Sequence, residues 1–214
     1  IGVSQGRVGP VFTRRAVGDH ILLGGDNMDL TLAHLIRSKL PEKSRKLDAW
    51  QFRGLWHSCQ AAKERLLGDS TLESEPVVIL GRGSSLIGGT LRTELTRKEA
   101  ESVLLDGFLP LCESSELPKE GARPGMREMG LPYEADPAIT RHLARFLARQ
   151  ARRSETGQPG GAPTAVLFNG GVMKSRLIRN RVLEALRRWE GETGDGQAIR
   201  ELPAADFDLA VARG

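Results

Sequence analysis

The sequence is poor in aromatic residues, in cysteine and in long apolar segments, and each shortage excludes a class of protein. Aromatic side chains are only 5% of the residues, so a folded core must be mainly aliphatic. The two cysteines have no metal-binding or redox spacing, and Cys59 falls on the apolar face of a predicted helix, where we expect a buried free thiol. No apolar run approaches the ~20 residues that span a bilayer, and no segment resembles a signal peptide. A cytoplasmic protein without membrane contact is therefore expected.

The positive charge is unevenly distributed along the chain. The net charge is +4, and residues 137–190 contain eleven Lys and Arg against three Asp and Glu. Such a bias is one signature of a nucleic-acid-binding module. However, the basic residues fall on the polar faces of two predicted amphipathic helices, and no aromatic residues are interleaved to stack on bases. A solvated helix face is the favoured interpretation, and nucleic-acid binding is retained as a third hypothesis.

The order of the predicted elements is typical of an α/β fold. Apolar periodicity and turn residues define each element. In chain order they are a hairpin over 3–5 and 11–17, helices over 26–40 and 48–68, strands over 77–80 and 90–95, a helix from 97, a helix from 137, a buried strand over 164–168, a helix that includes 178–189, a weak strand over 198–202 and a helix from 208.

Cap residues predict where several of the helices begin. Asp26 is expected to cap the first helix, and Asp29 is expected in its first turn, where a carboxylate interacts favourably with the helix dipole. Thr96 and Glu99 have the spacing of a capping box. Pro137 is expected at the first position of the next long helix.

Two Gly-Gly pairs each precede a predicted helix. In residues 164–174 a predicted buried strand runs into Gly170 and Gly171, and Gly24 and Gly25 form the second pair. Glycines let the backbone approach a ligand closely, and unpaired N–H groups at a helix start favour polar or anionic groups. The spacing is neither a dinucleotide fingerprint nor a P-loop, so a tight turn without a ligand is the alternative. If both turns bind, they face one nucleotide from different elements.

Five segments, taken in order, resemble the ATPase domain of DnaK-type heat-shock chaperones. Residues 18–29 resemble the family segment Gly-Asp-Thr-His-Leu-Gly-Gly-Glu-Asp-Phe-Asp, with one extra residue. Residues 59–66 are similar to the adenosine-contacting helix Cys-Glu-Arg-Ala-Lys-Arg-Thr-Leu, and residues 95–105 to the helix that begins Ile-Thr-Arg. Residues 166–174 resemble the adenosine motif Val-Leu-Val-Gly-Gly-Ser-Thr-Arg, and residues 208–214 resemble Asp-Glu-Ala-Val-Ala-Tyr-Gly.

The resemblance implies the actin-like ATPase (ribonuclease H-like) fold, with this chain as most of lobe II of a divergent bacterial member. Residues 1–26 would be the β-hairpin and phosphate-side turn of the base subdomain, and residues 27–111 a small mobile α+β subdomain. Residues 112–136 would be a surface excursion. Residues 137–214 would supply a helix, then the base-subdomain strand, the adenosine Gly-Gly turn and further helices.

The resemblance also implies an adenine-nucleotide site, with ATP or ADP as ligand and magnesium in the full-length parent. The nucleotide-binding positions that it assigns are Gly24 and Gly25 near the phosphates, Gln60, Lys63 and Glu64 beside the ribose and adenine, Gly170, Gly171, Val172 and Lys174 on the opposite adenosine wall, and Asp208 in support of that wall. The family's catalytic lysine, phosphate hairpins and magnesium-binding acids would lie before this segment. We therefore expect an ATPase parent, a piece that is inactive alone, and no catalytic or metal-binding residue within it. Expected partners are the adenine nucleotide, the first lobe and a C-terminal domain of the parent, and co-chaperones.

Several departures from the family pattern favour a second hypothesis. The family glutamate and arginine on the adenosine helix are Gln60 and Glu64 here. A carboxylate cannot make the cation–π contact of a guanidinium with adenine, and Arg65 is the candidate substitute. The serine and arginine of the adenosine motif are Val172 and Lys174. The second hypothesis is an actin-like scaffold or regulatory protein that has lost strong nucleotide binding.

Overall fold

The computed structural model describes residues 1–81, 90–119, 134–153, 163–193, 199–204 and 206–207, which form a mixed α/β fold. Three short sheets and the helices alternate along the chain. The elements are β1 (Gly2–Gln5), β2 (Pro10–Thr13), α1 (Gly25–Lys39), a 3₁₀ helix (Glu42–Ser44), α2 (Ala49–Gly68), β3 (Ser74–Ile79), β4 (Leu91–Thr96), α3 (Arg97–Glu101), a π-helix (Ser102–Phe108), α4 (Ile139–Arg153), β5 (Ala165–Leu167), a second 3₁₀ helix (Gly171–Lys174), α5 (Arg176–Thr193) and β6 (Arg200–Leu202).

The strands pair in three separate sheets. β1 and β2 form an antiparallel hairpin, and β3 and β4 form a second antiparallel pair. β5 and β6 are parallel, with Ala165 opposite Arg200. Parallel neighbours need a crossover connection, which the second 3₁₀ helix and α5 supply. The turn after the carboxyl end of β5 leads into the second 3₁₀ helix and then α5, in agreement with the predicted order of strand, Gly-Gly turn and helix.

The apolar side chains are buried in two clusters, which we call the first and second cores. The first core contains Met28, Leu104, Phe108, Leu109, Cys112, Ala144, Phe168, Ile178, Val182, Leu183, Ala185, Leu186, Trp189 and Ile199. The second core contains Leu32, Ala33, Ile36, Leu40, Leu55, Cys59, Ala62, Leu66, Val77, Ile79, Leu95 and Ala100. Both are mainly aliphatic, and the predicted burial of the Cys59 thiol is confirmed. Because α1 supplies residues to both, it holds the two cores together.

Side chains cap two of the helix starts, and one of these caps, the Thr96–Glu99 capping box, is predicted from the sequence. The Asp48 carboxylate accepts hydrogen bonds from the Trp50 and Gln51 N–H groups at 2.8 and 2.9 Å. Thr96 and Glu99 form the reciprocal capping box, in which the Thr96 N–H donates to the Glu99 carboxylate at 2.9 Å. Each cap satisfies backbone donors that the helix itself leaves unpaired.

The predicted roles of Asp26 and Asp29 at the start of α1 are wrong. Gly24 is the N-cap residue, and the Asn27 side-chain oxygen accepts its N–H at 2.8 Å. Asp26 lies in the first turn, whereas Asp29 lies beyond it and is buried. Gly24 has no side chain that can cap, so Asn27 reaches back to satisfy the backbone.

Two element boundaries and the burial of one strand also differ from prediction. β2 ends at Thr13 and not at residue 17. Pro137 lies outside α4, because the Asp136 carboxylate accepts the Ala138 N–H at 2.9 Å and holds the chain in a turn ahead of the helix. β5 is only half-buried, with Leu167 62% exposed, because β6 alone among the described strands pairs with it.

The described ends of the predicted excursion 112–136 are anchored to the protein. Trp189 Nε1 donates to the Cys112 carbonyl at 2.7 Å, and the Lys119 N–H donates to the Asp136 carboxylate at 2.8 Å. Cys112 and Asp136 are both buried. None of the helices in the described part of the chain combines the length and apolar character needed to cross a membrane.

Candidate functional site

A cavity of about 470 Å³ lies between the α1–α2 pair and the turn that follows β5. Its volume is within the range of small-molecule sites, and in α/β folds such sites lie beyond the carboxyl ends of strands. Three segments distant in sequence supply its walls. The lining residues are Gly25, Asp26, Met28 and Asp29 from α1, Gln60, Lys63, Glu64, Leu67 and Gly68 from α2, and Gly171, Val172, Lys174, Ser175 and Ile178 from the second 3₁₀ helix and the start of α5.

Seven of the ten nucleotide-binding residues predicted from the sequence line this one cavity. They are Gly25, Gln60, Lys63, Glu64, Gly171, Val172 and Lys174. Gly24 and Gly170 directly precede lining residues but are not part of the lining. Asp208 lies outside the described residues.

Gly25 is the point at which the three segments meet. A Cβ atom at this position would lie 3.2 Å from Val172 Cγ2 and 3.7 Å from Lys63 Nζ. The absence of a side chain therefore leaves room for the close approach of the other two walls. Gly170 has a different role, because its φ of +97° is a conformation that side-chain-bearing residues rarely adopt.

A buried ion pair forms part of the wall shared by α1 and α2. Lys63 Nζ lies 2.7 Å from Asp29 Oδ1, and both side chains are almost inaccessible to solvent. Burial raises the pKa of Asp29, although the hydrogen bond and charge of Lys63 oppose that shift. Burial, with a contribution from the Asp29 charge, raises the pKa of the nearby Cys59 thiol to about 12.

The opposite wall is fixed by Arg179. Its guanidinium donates to the carbonyl oxygens of Met173 and Lys174 at 2.6 and 2.9 Å, and it contacts the Glu201 carboxylate at 2.7 Å. These bonds tie the second 3₁₀ helix to α5 and to β6. The cavity wall is therefore held by charge-assisted hydrogen bonds as well as by packing.

Ser175 is a lining residue that the sequence analysis did not identify. It immediately precedes α5 and is 6% exposed, and its Oγ has no hydrogen-bond partner within the described part of the chain. A serine just before an amphipathic helix is a signal for an N-cap residue, and that signal could have drawn attention to this position. Asp29 was identified only as a helix residue, because its pairing with Lys63 is set by the packing of α1 against α2.

The structure does not support Arg65 as a substitute for the family arginine. Arg65 is absent from the cavity lining, and its guanidinium lies 2.9 Å from the Glu75 carboxylate. Glu64, the residue at the family position, does line the cavity and is exposed. The described residues contain no group of three or more His, Cys, Asp or Glu side chains that could hold a metal ion.

Comparison with known proteins gives no family assignment. No protein-family model matches the chain, and no curated protein matches it significantly.

Proposed function

We propose that this chain is the adenosine-nucleotide-binding lobe of a DnaK-like chaperone ATPase with an actin-like fold. One observation carries the proposal: three segments that resemble the family separately in sequence supply the walls of a single cavity. These are residues 18–29, 59–66 and 166–174. Motifs matched by chance have no reason to meet in space, and these three meet around Gly25.

The cavity has the mixed chemistry that a nucleoside requires. Leu67 from α2 and Val172 from the second 3₁₀ helix offer apolar surface from two different walls, against which a planar base can stack. Gln60 and Glu64 supply polar groups for hydrogen bonds to the base or ribose. Ligand sites commonly combine apolar walls with a few placed polar groups.

We expect binding by this chain alone to be weak. The resemblance assigns most of the triphosphate contacts and the magnesium contacts to the other lobe of the family fold, so mainly stacking and a few hydrogen bonds remain. For so few contacts we expect a dissociation constant of ~1 mM, which corresponds to a binding free energy of about −4 kcal/mol. The full-length parent, which would contain both lobes, is proposed to hydrolyse ATP. This chain alone lacks the contacts of the other lobe and should therefore release no phosphate from ATP.

Titration with adenosine, ADP and ATP, followed by amide NMR shifts, tests the proposal. We expect shifts at Gly25, Lys63 and Gly171, with none at Gly54, an exposed glycine of α2 outside the lining. Val172→Asp should abolish them, because it places a carboxylate on an apolar wall. The matched control is Val17→Asp, at an exposed position outside the cavity.

The scaffold hypothesis is favoured by one structural observation. Lys63, which the resemblance places against the ligand, is paired with Asp29 and is therefore less available for a ligand. If none of the three nucleotides shifts Gly25, Lys63 or Gly171 at millimolar concentration, the scaffold hypothesis replaces our proposal.

The nucleic-acid hypothesis loses support from the ion pairs of the basic region. Arg141 pairs with Asp136 and Glu116, and Arg188 pairs with Glu113. Part of the positive charge therefore neutralises carboxylates of the same chain. Shifts confined to the basic face of α5 during the titration would nevertheless revive this hypothesis.

A further inference from the structure

The cavity wall that α1 and α2 form is rich in hydrogen-bond acceptors. Asp26 and Glu64 lie in the lining, both are exposed, and neither forms a hydrogen bond or an ion pair within the described part of the chain. The ammonium group of this wall, that of Lys63, is already paired with Asp29. Because a carboxylate can only accept hydrogen bonds, a ligand group that bonds to Asp26 or Glu64 has to donate them.

Glu64 lies beside the apolar surface on which a base can stack. Along α2 it comes four residues after Gln60 and three residues before Leu67, so the three side chains are neighbours on one face of the helix, and all three line the cavity. The charge of Glu64 also acts across the wall, because burial raises the pKa of Asp29 and the Glu64 carboxylate adds to that rise. A planar base that stacks on Leu67 therefore presents an edge to the Glu64 carboxylate.

The two purine bases differ in the donors that they offer along such an edge. Guanine has adjacent donors, the N1–H group and the 2-amino group, and one carboxylate can accept a hydrogen bond from each at the same time. Adenine has an unprotonated N1 at the same place, and the lone pair of that nitrogen repels a carboxylate. The Gln60 amide can serve either base, because it has both donor and acceptor atoms.

We propose that the cavity binds guanine more tightly than adenine, and that Glu64 is the residue that sets this preference. The Glu64 carboxylate accepts hydrogen bonds from the N1–H and 2-amino groups of a guanine that stacks between Leu67 and Val172. The inference rests on the proposed function for the nucleoside site and changes only which purine that site prefers. The family resemblance gives an arginine at the position of Glu64, so the preference belongs to this chain and not to the family.

Titration with GMP, IMP and AMP at constant ionic strength, followed by the amide NMR shifts of Gly25, Lys63 and Gly171, tests the proposal. The three nucleotides share the ribose and the phosphate, so only the base differs. We expect GMP to bind about tenfold more tightly than AMP, which is the scale of a bidentate charge-assisted hydrogen bond at a solvated site. IMP keeps the N1–H group but lacks the 2-amino group, so its affinity should lie between the other two.

Glu64→Gln tests the role of the carboxylate, because it removes the charge and keeps the size of the side chain. It should reduce the ratio of the GMP and AMP affinities from about tenfold to about twofold or less. The ratio cancels any change in the attraction of the phosphate, which both nucleotides carry. Glu42→Gln removes the same charge at an exposed position outside the cavity and should leave the ratio unchanged. Thermal unfolding checks that both variants remain folded.

The outcomes separate this inference from the proposed function. Equal affinities for GMP and AMP, with shifts at Gly171, would overturn the preference for guanine and leave the nucleoside site intact. A preference for GMP that survives Glu64→Gln would overturn the role of Glu64. If none of the three nucleotides shifts Gly25, Lys63 or Gly171 at millimolar concentration, the nucleoside site itself is contradicted, and the inference fails with it.

Discussion

Lys63 Nζ lies 2.7 Å from Asp29 Oδ1, and the two side chains, 8% and 2% exposed, join α2 to α1 at the wall of the candidate cavity. An ion pair this deeply buried has given up most of its hydration. Each charge is therefore stabilised mainly by the other and not by water. Because the pair lies in the cavity wall, it links the geometry of the cavity to the stability of the fold.

Removing one member of this pair should be strongly destabilising. Lys63→Met leaves the Asp29 carboxylate buried without a cation, and we expect a loss of about 3–5 kcal/mol in the free energy of unfolding. Urea unfolding measures it. The control is Lys39→Met, because Lys39 pairs at 2.8 Å with the more exposed Glu99 and its loss should cost less than about 1 kcal/mol. Equal losses in the two variants would contradict a special role for the buried pair.

The pH dependence of stability should report the environment of Asp29. Burial raises its pKa above the ordinary value of 3.8, against the opposing effect of Lys63, so the folded chain holds this proton more tightly than the unfolded chain. The contribution of Asp29 to stability should therefore grow as pH falls through the window from the raised pKa to the ordinary one, and shrink as pH rises through it. Urea unfolding of the unmutated chain and of the Asp29→Asn variant, at a series of pH values, measures the pH dependence of the difference in their free energies of unfolding. A stability difference that does not change with pH would refute it.

The Cys59 thiol should be unreactive in the folded protein. Its pKa of about 12 leaves almost no thiolate at pH 8, and its side chain is fully buried. In a Cys112→Ser background, a chromogenic disulfide reagent should label Cys59 only as fast as the protein opens. Asp29→Asn should lower the pKa of Cys59, because the Asp29 charge is one cause of its rise. Rapid labelling of the folded Cys112→Ser variant would show that the α1–α2 packing is open.

Glu64→Arg should strengthen adenine binding. The change restores a guanidinium where the family resemblance places one, and a cation–π contact at an exposed site contributes about 0.5–1 kcal/mol, or roughly two- to fivefold in affinity. Stability should hardly change, because Glu64 is exposed. Glu42→Arg makes the same charge change at an exposed position outside the cavity. If both variants improve adenosine affinity equally, the effect is one of net charge and not of stacking.

Local features of the structure were predictable because neighbouring residues encode them. The caps at Asp48 and Thr96 follow from side chains that reach backbone groups two or three residues away. The helix predicted to include residues 178–189 follows from helical periodicity, and the apolar side chains that give this periodicity, Ile178, Val182, Leu186 and Trp189, are buried. The Gly-Gly turns were recognisable for the same reason, since their geometry depends on a few consecutive residues.

Tertiary packing gave Asp29 and the strand at 164–168 surroundings that differ from those predicted from the sequence. Asp29 was predicted to favour a helix dipole, and instead pairs with Lys63 from a different helix. The segment 164–168 was predicted to be a buried strand, and Leu167 is exposed because neighbouring strands, and not residue type, decide how much of a strand is covered.

The sequence by itself determined the aliphatic character of the cores and the main helices, and it supplied the candidate residues that we propose to bind a nucleotide. Only the tertiary structure brought Gly25, Lys63 and Val172 into contact range and buried the Ser175 hydroxyl without a hydrogen-bond partner among the described residues. The physical reason is the range of the interactions. Periodicity and capping act over a few residues, whereas a cavity wall and a buried ion pair depend on how helices distant in sequence pack together.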